Sequence, residues 1–255
     1  MANEGRLPLM SQQGLRLVLE GLVVVVSVLT AFFLDGWRDD REFQQETELE
    51  LVNVTRELER NRELIVAEIS SLQRVIAASA ALREVLADNQ NKPIVMVPDT
   101  LAWLASVWSP SLDASGGAVD ALIASGRLAQ LDDPELRLGL AGLKDLIDDA
   151  LEDELAARQI GLTQLVPLIR DVTDFHRFTA ISISFLEGGA GGSTTQEIAD
   201  ERAVPTFGEV AYPTTNAVRN TLSLRLTWFD VASNEQVRLL AYLDDLVRMM
   251  NLQIE

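Results

Sequence analysis

Few side chains in this sequence are of the types that carry out chemistry, and they do not gather along the chain. There is one histidine and no cysteine. His176 lies in the run Asp174, Phe175, His176, Arg177, Phe178, where an imidazole could move a proton or ligate a metal or pigment. With no second histidine, no thiol and no nucleophile motif beside it, it is expected to be a structural or surface residue. A second candidate is the acidic run Asp145, Asp148, Asp149, Glu152, Asp153 and Glu154. It has neither the Glu-x-x-His of di-iron bundles nor the Asp-x-Asp-x-Asp-Gly of calcium loops, so a solvated acidic face is expected. Gly188 to Thr194, GGAGGST, lacks the Gly-Lys-Ser/Thr ending of a phosphate loop and reads as flexible linker. Trp103 and Trp108 could stack on a cofactor, but five residues apart on one helix they face different ways. One is expected in the core and the other on a neighbouring element. The expectation is a non-enzymatic protein with no catalytic residue, no metal site and no cofactor.

The charge balance narrows the partners. With 39 acidic against 21 basic residues the chain carries a formal charge of −18, which repels phosphate backbones and anionic lipid surfaces. Nucleic-acid binding is not expected. The absence of cysteine removes disulfides and thiolate chemistry and is compatible with either side of a bacterial membrane.

The element that organises the chain is Leu15 to Trp37, LRLVLEGLVVVVSVLTAFFLDGW. From Leu17 to Leu34 only Glu20, Ser27 and Thr30 carry polar atoms, and at about 1.5 Å per residue this run covers roughly 27 Å, close to a bilayer's hydrocarbon core. One membrane-spanning helix is predicted. Asp35, Arg38, Asp39, Asp40 and Arg41 end it, and Trp37 stands where an interfacial indole anchors a helix. At the other end Arg16 precedes Glu20 by four residues, a spacing that lets them pair while the arginine stem snorkels outward. Ser27, Thr30, Ala31 and the Glu20 edge are the positions suited to packing on other spans.

Glu4 and Glu20, and the lack of a small-x-small site after Phe33, argue against a cleaved signal peptide. Arg6 and Arg16 on one side balance Arg38 and Arg41 on the other, so the local basic count does not orient the span. The short tail, residues 1–14, favours a cytoplasmic N-terminus, with residues 38–255 forming a periplasmic helical domain on the bacterial inner membrane.

That domain reads as all-α. No proline occurs between Pro8 and Pro93, so the span is expected to continue into a long helix. Leu51, Leu58, Ile65, Leu72 and Leu86 recur at sevens, with Val54, Val75 and Leu82 on the next row. Asn61 and Glu68 interrupt that second row, which suits a helix of an antiparallel bundle better than a two-stranded coiled coil. Asn89 to Pro98 reads as the loop that turns the chain back, with Asp99 or Thr100 capping the next helix. Gly126 is placed as a left-handed C-cap, Asp132 or Asp133 before Pro134 as the next start, and Pro167 as a kink or stop. A glycine-rich loop is expected near residues 187–215, followed by two closing helices, Asn216 to Asp230 and Ser233 to Leu252.

The order of Glu20, apolar span and Asp35-x-Trp37, the ELERN at 57–61, ALIASGRL at 121–128 and ELR at 135–137 together resemble a family of uncharacterised bacterial membrane proteins with one N-terminal span and a helical domain. The resemblance implies a fold and no activity. The role expected is an accessory or scaffolding subunit of a larger membrane complex, photosynthetic or respiratory, contacting other subunits and the lipid bilayer. The alternative is a membrane-anchored sensor or ligand-binding helical module, recognisable by stability on its own and an enclosed cavity with convergent polar groups.

Overall fold

The structure, a computed structural model, describes residues 12–189, 204 and 206–254. It divides into two compact units, Met1–Glu50 and Leu51–Glu255. Helix α1, Gln12–Asp88, runs unbroken for 77 residues and contributes to both. The protein is all-α in class, with one two-stranded sheet among the described residues.

In the first unit the side chains of Leu22 to Leu34 are exposed, with Phe32 and Phe33 more than two-thirds so. A helix with an apolar surface on every side has no polar face to offer water. This stretch of α1 is long and apolar enough to cross a membrane.

The second unit is built on three long helices. They are α1 from Leu51 onward, α4 (Pro134–Ile160) and the closing helix α7 (Asn216–Ile254). All eight predicted apolar positions of α1, from Leu51 to Leu86, are buried. Leu51 to Ile65 pack with Leu136 to Ile147 and Leu239 to Met250, while Leu82 and Leu86 pack with Leu165, Ile169, Val218 and Leu222. Helix α7 therefore runs antiparallel to both α1 and α4. A third cluster, Leu72, Val75, Ala157, Phe229 and Ala232, joins the two at mid-bundle.

Because α1 and α4 run the same way, the chain must travel back between them, and residues 89–133 do so. They form β1 (Ile94–Pro98), α2 (Asp99–Ser106), α3 (Gly117–Ala124) and a 3-10 turn, Arg127–Gln130. Asn61, one of the interruptions in the α1 pattern, holds this return: its amide donates to the Ser115 carbonyl at 2.6 Å and accepts from the Ser115 N–H at 3.0 Å. Glu57 accepts from the Ala118 and Val119 N–H groups at 2.8 and 3.2 Å, occupying the positive end of α3. Gly126 has the expected left-handed conformation, φ 76°, and Asp133 accepts from the Glu135 and Leu136 N–H groups ahead of α4.

Several expectations are corrected. Residues 94–98 and 209–213, read as loop and irregular chain, pair as an antiparallel ribbon of β1 with β2 (Glu209–Pro213), in which Val95 faces Tyr212 and Val97 faces Val210. Burial alternates along β1, where Val95 and Val97 go inward and Ile94, Met96 and Pro98 outward; on β2 Val210 and Tyr212 go inward, Ala211 is half-buried and Pro213 is also buried. Asp99 and Thr100 do not cap α2 from outside. Asp99 is its first residue, wholly buried, and accepts from the Phe207 N–H on the returning chain. The two closing helices are one, α7, of 39 residues. At Pro167, expected as a kink or stop, the run from α4 is interrupted rather than turned aside. A π turn, Gly161–Leu165, absorbs the missing donor before the short α5 (Val166–Ile169), and α6 (Phe175–Gly189) follows. Most of the predicted glycine-rich loop, residues 190–203 and 205, lies outside the described residues.

Gly161 is needed for a close approach. A Cβ there would stand 2.7 Å from Nε of Arg225 and 3.3 Å from the Ser106 carbonyl oxygen, neither able to yield. Gly142 has nothing nearer than 3.9 Å. Gly161→Ala is expected to lower the stability of the extracted chain by roughly 1–3 kcal/mol. In the same urea titration Gly142→Ala is expected to be neutral or to gain about 0.5–1 kcal/mol from helix propensity. Equal effects of the two substitutions would contradict the packing described.

Candidate functional site

The described residues bring together an aromatic cleft that the spacing of its residues along the chain does not announce. Helix α2 ends at Ser106, and the Val107 and Trp108 N–H groups both donate to the Trp103 carbonyl, at 2.9 and 3.0 Å. This widened, π-type last turn brings Trp108 back over Trp103. The two indoles stack with centroids 5.8 Å apart and an interplanar angle of 23°, correcting the expectation of separate faces, which held only if the helix continued. Phe185 of α6 meets Trp103 at 5.7 Å and Trp108 edge-on at 5.4 Å. With Val107, Leu162, Ser109, Ser182 and Arg158 these rings line a cleft of about 340 Å³.

Each polar group of the lining has a distinct local commitment. Ser182 accepts from Trp103 Nε1 at 3.0 Å and donates to the Phe178 carbonyl at 2.9 Å, so its hydroxyl serves the wall. Ser109 accepts from Nη2 of Arg225 at 3.0 Å. Arg158 uses Nη2 for the Pro110 carbonyl and for Glu154 Oε1, both at 3.1 Å, while its side chain remains about one-third exposed.

Beneath the wall lies Arg225 of α7, fully buried. Its Nη1 donates to the Ala105 carbonyl and its Nη2 to the Trp108 carbonyl and Ser109, so that one guanidinium caps the C-terminus of α2. It also lies over the Phe229 ring at 4.7 Å. Burial draws its pKa down to about 10, which leaves it charged at neutral pH. The hydroxyls of Ser106 and Tyr212 meet beside it at 2.7 Å, and burial pushes the Tyr212 phenol up to about 12.

Deeper in the bundle Glu68 and Glu154 are both buried. Glu154 corrects the reading of a uniformly solvated acidic face: Asp145, Asp148, Asp149 and Glu152 are exposed, but Glu154 turns inward. Its carboxylate accepts from the Leu112 N–H at 3.1 Å as well as from Arg158. Burial and the nearby Glu154 carboxylate raise the Glu68 pKa to about 8, against the opposing charges of Arg158 and Arg74. The second interruption in the α1 pattern is thus a buried acid whose pKa lies well above the ordinary carboxylate range.

The other candidates stay apart. His176 is exposed on the first turn of α6, and its backbone N–H donates to the Asp174 carboxylate. No group of three or more metal-ligating side chains occurs among the described residues. In the first unit Ser27 and Thr30 donate to the Val23 and Val26 carbonyls of their own helix at 2.7 Å, Ala31 and Glu20 are exposed, and Arg41 lies over the Trp37 ring at 4.4 Å. The Arg16 side chain, and with it the predicted pair with Glu20, lies outside the described residues.

No protein-family model, no curated protein and no solved structure matches this chain. Function is therefore argued from the cleft and the span.

An acid whose pKa is raised by folding keeps its proton in the fold after the unfolded chain has lost it. Stability then falls as pH rises from the ordinary carboxylate range toward about 8. Glu68→Gln removes this dependence. Its urea midpoint is expected to exceed that of the wild type by a margin that widens from about pH 5 to about pH 8. A constant margin would show that Glu68 does not titrate in this range.

Proposed function

We propose that this chain is a single-pass membrane protein whose helical unit is a non-catalytic ligand-binding module. The observation that carries the reading is the aromatic cleft of Trp103, Trp108 and Phe185, with Arg158 and Ser109 converging on it. Its volume of about 340 Å³ lies within the range of small-molecule sites, which runs from about 300 to 1,000 Å³. The donor-rich lining supplies orientation without a nucleophile and base in hydrogen-bond reach, the pairing that covalent catalysis uses. In this reading residues 15–37 anchor the module in a bacterial inner membrane, with the N-terminus in the cytoplasm and the helical unit in the periplasm.

A second reading, an accessory subunit of a larger photosynthetic or respiratory membrane complex, is favoured by the first unit. Its apolar residues are exposed around the whole helix, and the hydroxyls of Ser27 and Thr30, satisfied within their own helix, leave a small-residue strip with Ala31 on which another span can pack. Membership of the family of uncharacterised bacterial membrane proteins that the sequence resembles is part of the same proposal.

Native mass spectrometry of the full chain, gently extracted from its own membrane, separates the readings. A small-molecule adduct present on the wild type and absent from Leu162→Trp, which fills the cleft from its exposed rim, is the expected result. Co-migration with a large complex at fixed stoichiometry and no adduct would favour the accessory subunit. A bare monomer would overturn both.

A further inference from the structure

The chemistry of the cleft narrows what it takes. Two stacked indoles and the edge-on Phe185 make a corner whose faces suit a flat ring, and one or two fused rings fill about 340 Å³. An aromatic corner of this kind could equally hold a quaternary ammonium. The charges around it decide against a cation. Arg74 lies over Trp108 at 5.5 Å, Arg158 lines the opening, and Arg225 sits behind the wall holding Ser109. Against these three guanidinium groups stand two buried acids: Glu154, bound by Arg158 and the Leu112 N–H, and Glu68, which lies near both Arg74 and Arg158. In a chain of formal charge −18 the cleft is a local positive site.

The hydrogen-bonding capacity has the same sign. Arg158, a lining residue, commits one of its terminal nitrogens to Glu154 and Pro110, and its guanidinium carries further N–H donors. Ser109 accepts from Arg225, which directs its own hydrogen elsewhere. Ser182 has both its donor and an acceptor position in use by the wall. Donors thus outnumber acceptors at the rim. Resting on the binding-module reading, we infer that the cleft takes a planar aromatic carboxylate, its ring against Trp103 and Trp108 and its carboxylate on Arg158 and Ser109. The bond to Arg158 is charge-assisted, and the indoles exclude water from one side of it.

Three probes of one shape test this on the full chain in nanodiscs, by isothermal titration: 2-naphthoate, 2-naphthalenemethanol and (2-naphthylmethyl)trimethylammonium. The naphthoate is expected to bind at least about tenfold more tightly than the alcohol, the margin of a charge-assisted bond over a neutral one, and the ammonium more weakly than either. Arg158→Gln should bring the naphthoate down to the level of the alcohol without changing the alcohol's affinity. Ser109→Ala, remote from the Glu154 contact, should weaken the naphthoate alone by a few-fold, which keeps the test decisive if Arg158→Gln does not fold. Leu162→Trp should abolish binding of all three. Tighter binding of the ammonium or the alcohol, lost in Leu162→Trp, would overturn the ligand class while leaving the binding module standing. Naphthoate binding indifferent to Arg158→Gln and Ser109→Ala would also overturn the class. Failure of every probe to bind, or binding unaffected by Leu162→Trp, would overturn the module itself.

Discussion

A single buried cation, the guanidinium of Arg225, sets the terms for the helical unit. A charge taken out of water is costly unless its donors are met. Here Nε, packed against Gly161, has no hydrogen-bond partner among the described residues, while the two terminal nitrogens meet the Ala105 and Trp108 carbonyls and the Ser109 hydroxyl. These are the groups that the end of a helix leaves unsatisfied. The same contact therefore ends α2, ties it to α7 and fixes the turn on which Trp108 folds back over Trp103. Gly161 belongs to the arrangement because only a residue without a Cβ lets the π turn after α4 approach Arg225 this closely. The aromatic wall is in this sense a product of helix termination.

Polar interruptions in the apolar pattern of α1 extend the logic along the bundle. Asn61 anchors the return segment at Ser115, and Glu68 sits beside Glu154 and Arg158 at the level of the cleft. Each costs apolar burial at its position, and each fixes where a neighbouring element must lie. Arg158 links this layer to the cleft, since it holds Glu154 on one side and faces the opening on the other. A carboxylate ligand would share that guanidinium with Glu154, coupling occupancy of the cleft to the buried acids.

The sequence made much of the framework legible. Sevenfold recurrence located the buried face of α1 down to individual residues, because a long helix averages over many positions and tolerates few alternatives. Gly126 and Asp133 were readable because caps have local causes. The β1 and β2 ribbon was not, since five residues bounded by prolines carry little periodicity and the partner strand lies more than a hundred residues away. The cleft escaped for a similar reason. The facing of Trp103 and Trp108 depends on where α2 stops, and that is set by Arg225, distant in sequence. Glu154 looked like one more surface acid in an acidic run, and nothing local distinguished it from Glu152. Its four-residue spacing from Arg158 was the one available signal.

Occupancy of the cleft in the native membrane is the most direct test of this account. Hydroxyl-radical footprinting would compare the full chain in its own membrane with the purified, ligand-stripped chain. Trp108 and Phe185 are expected to be protected in the membrane and to become reactive on purification, while the exposed His176 reacts alike in both. Equal reactivity of Trp108 and Phe185 in the two states would mean that nothing fills the cleft where the protein works, and would contradict the claim.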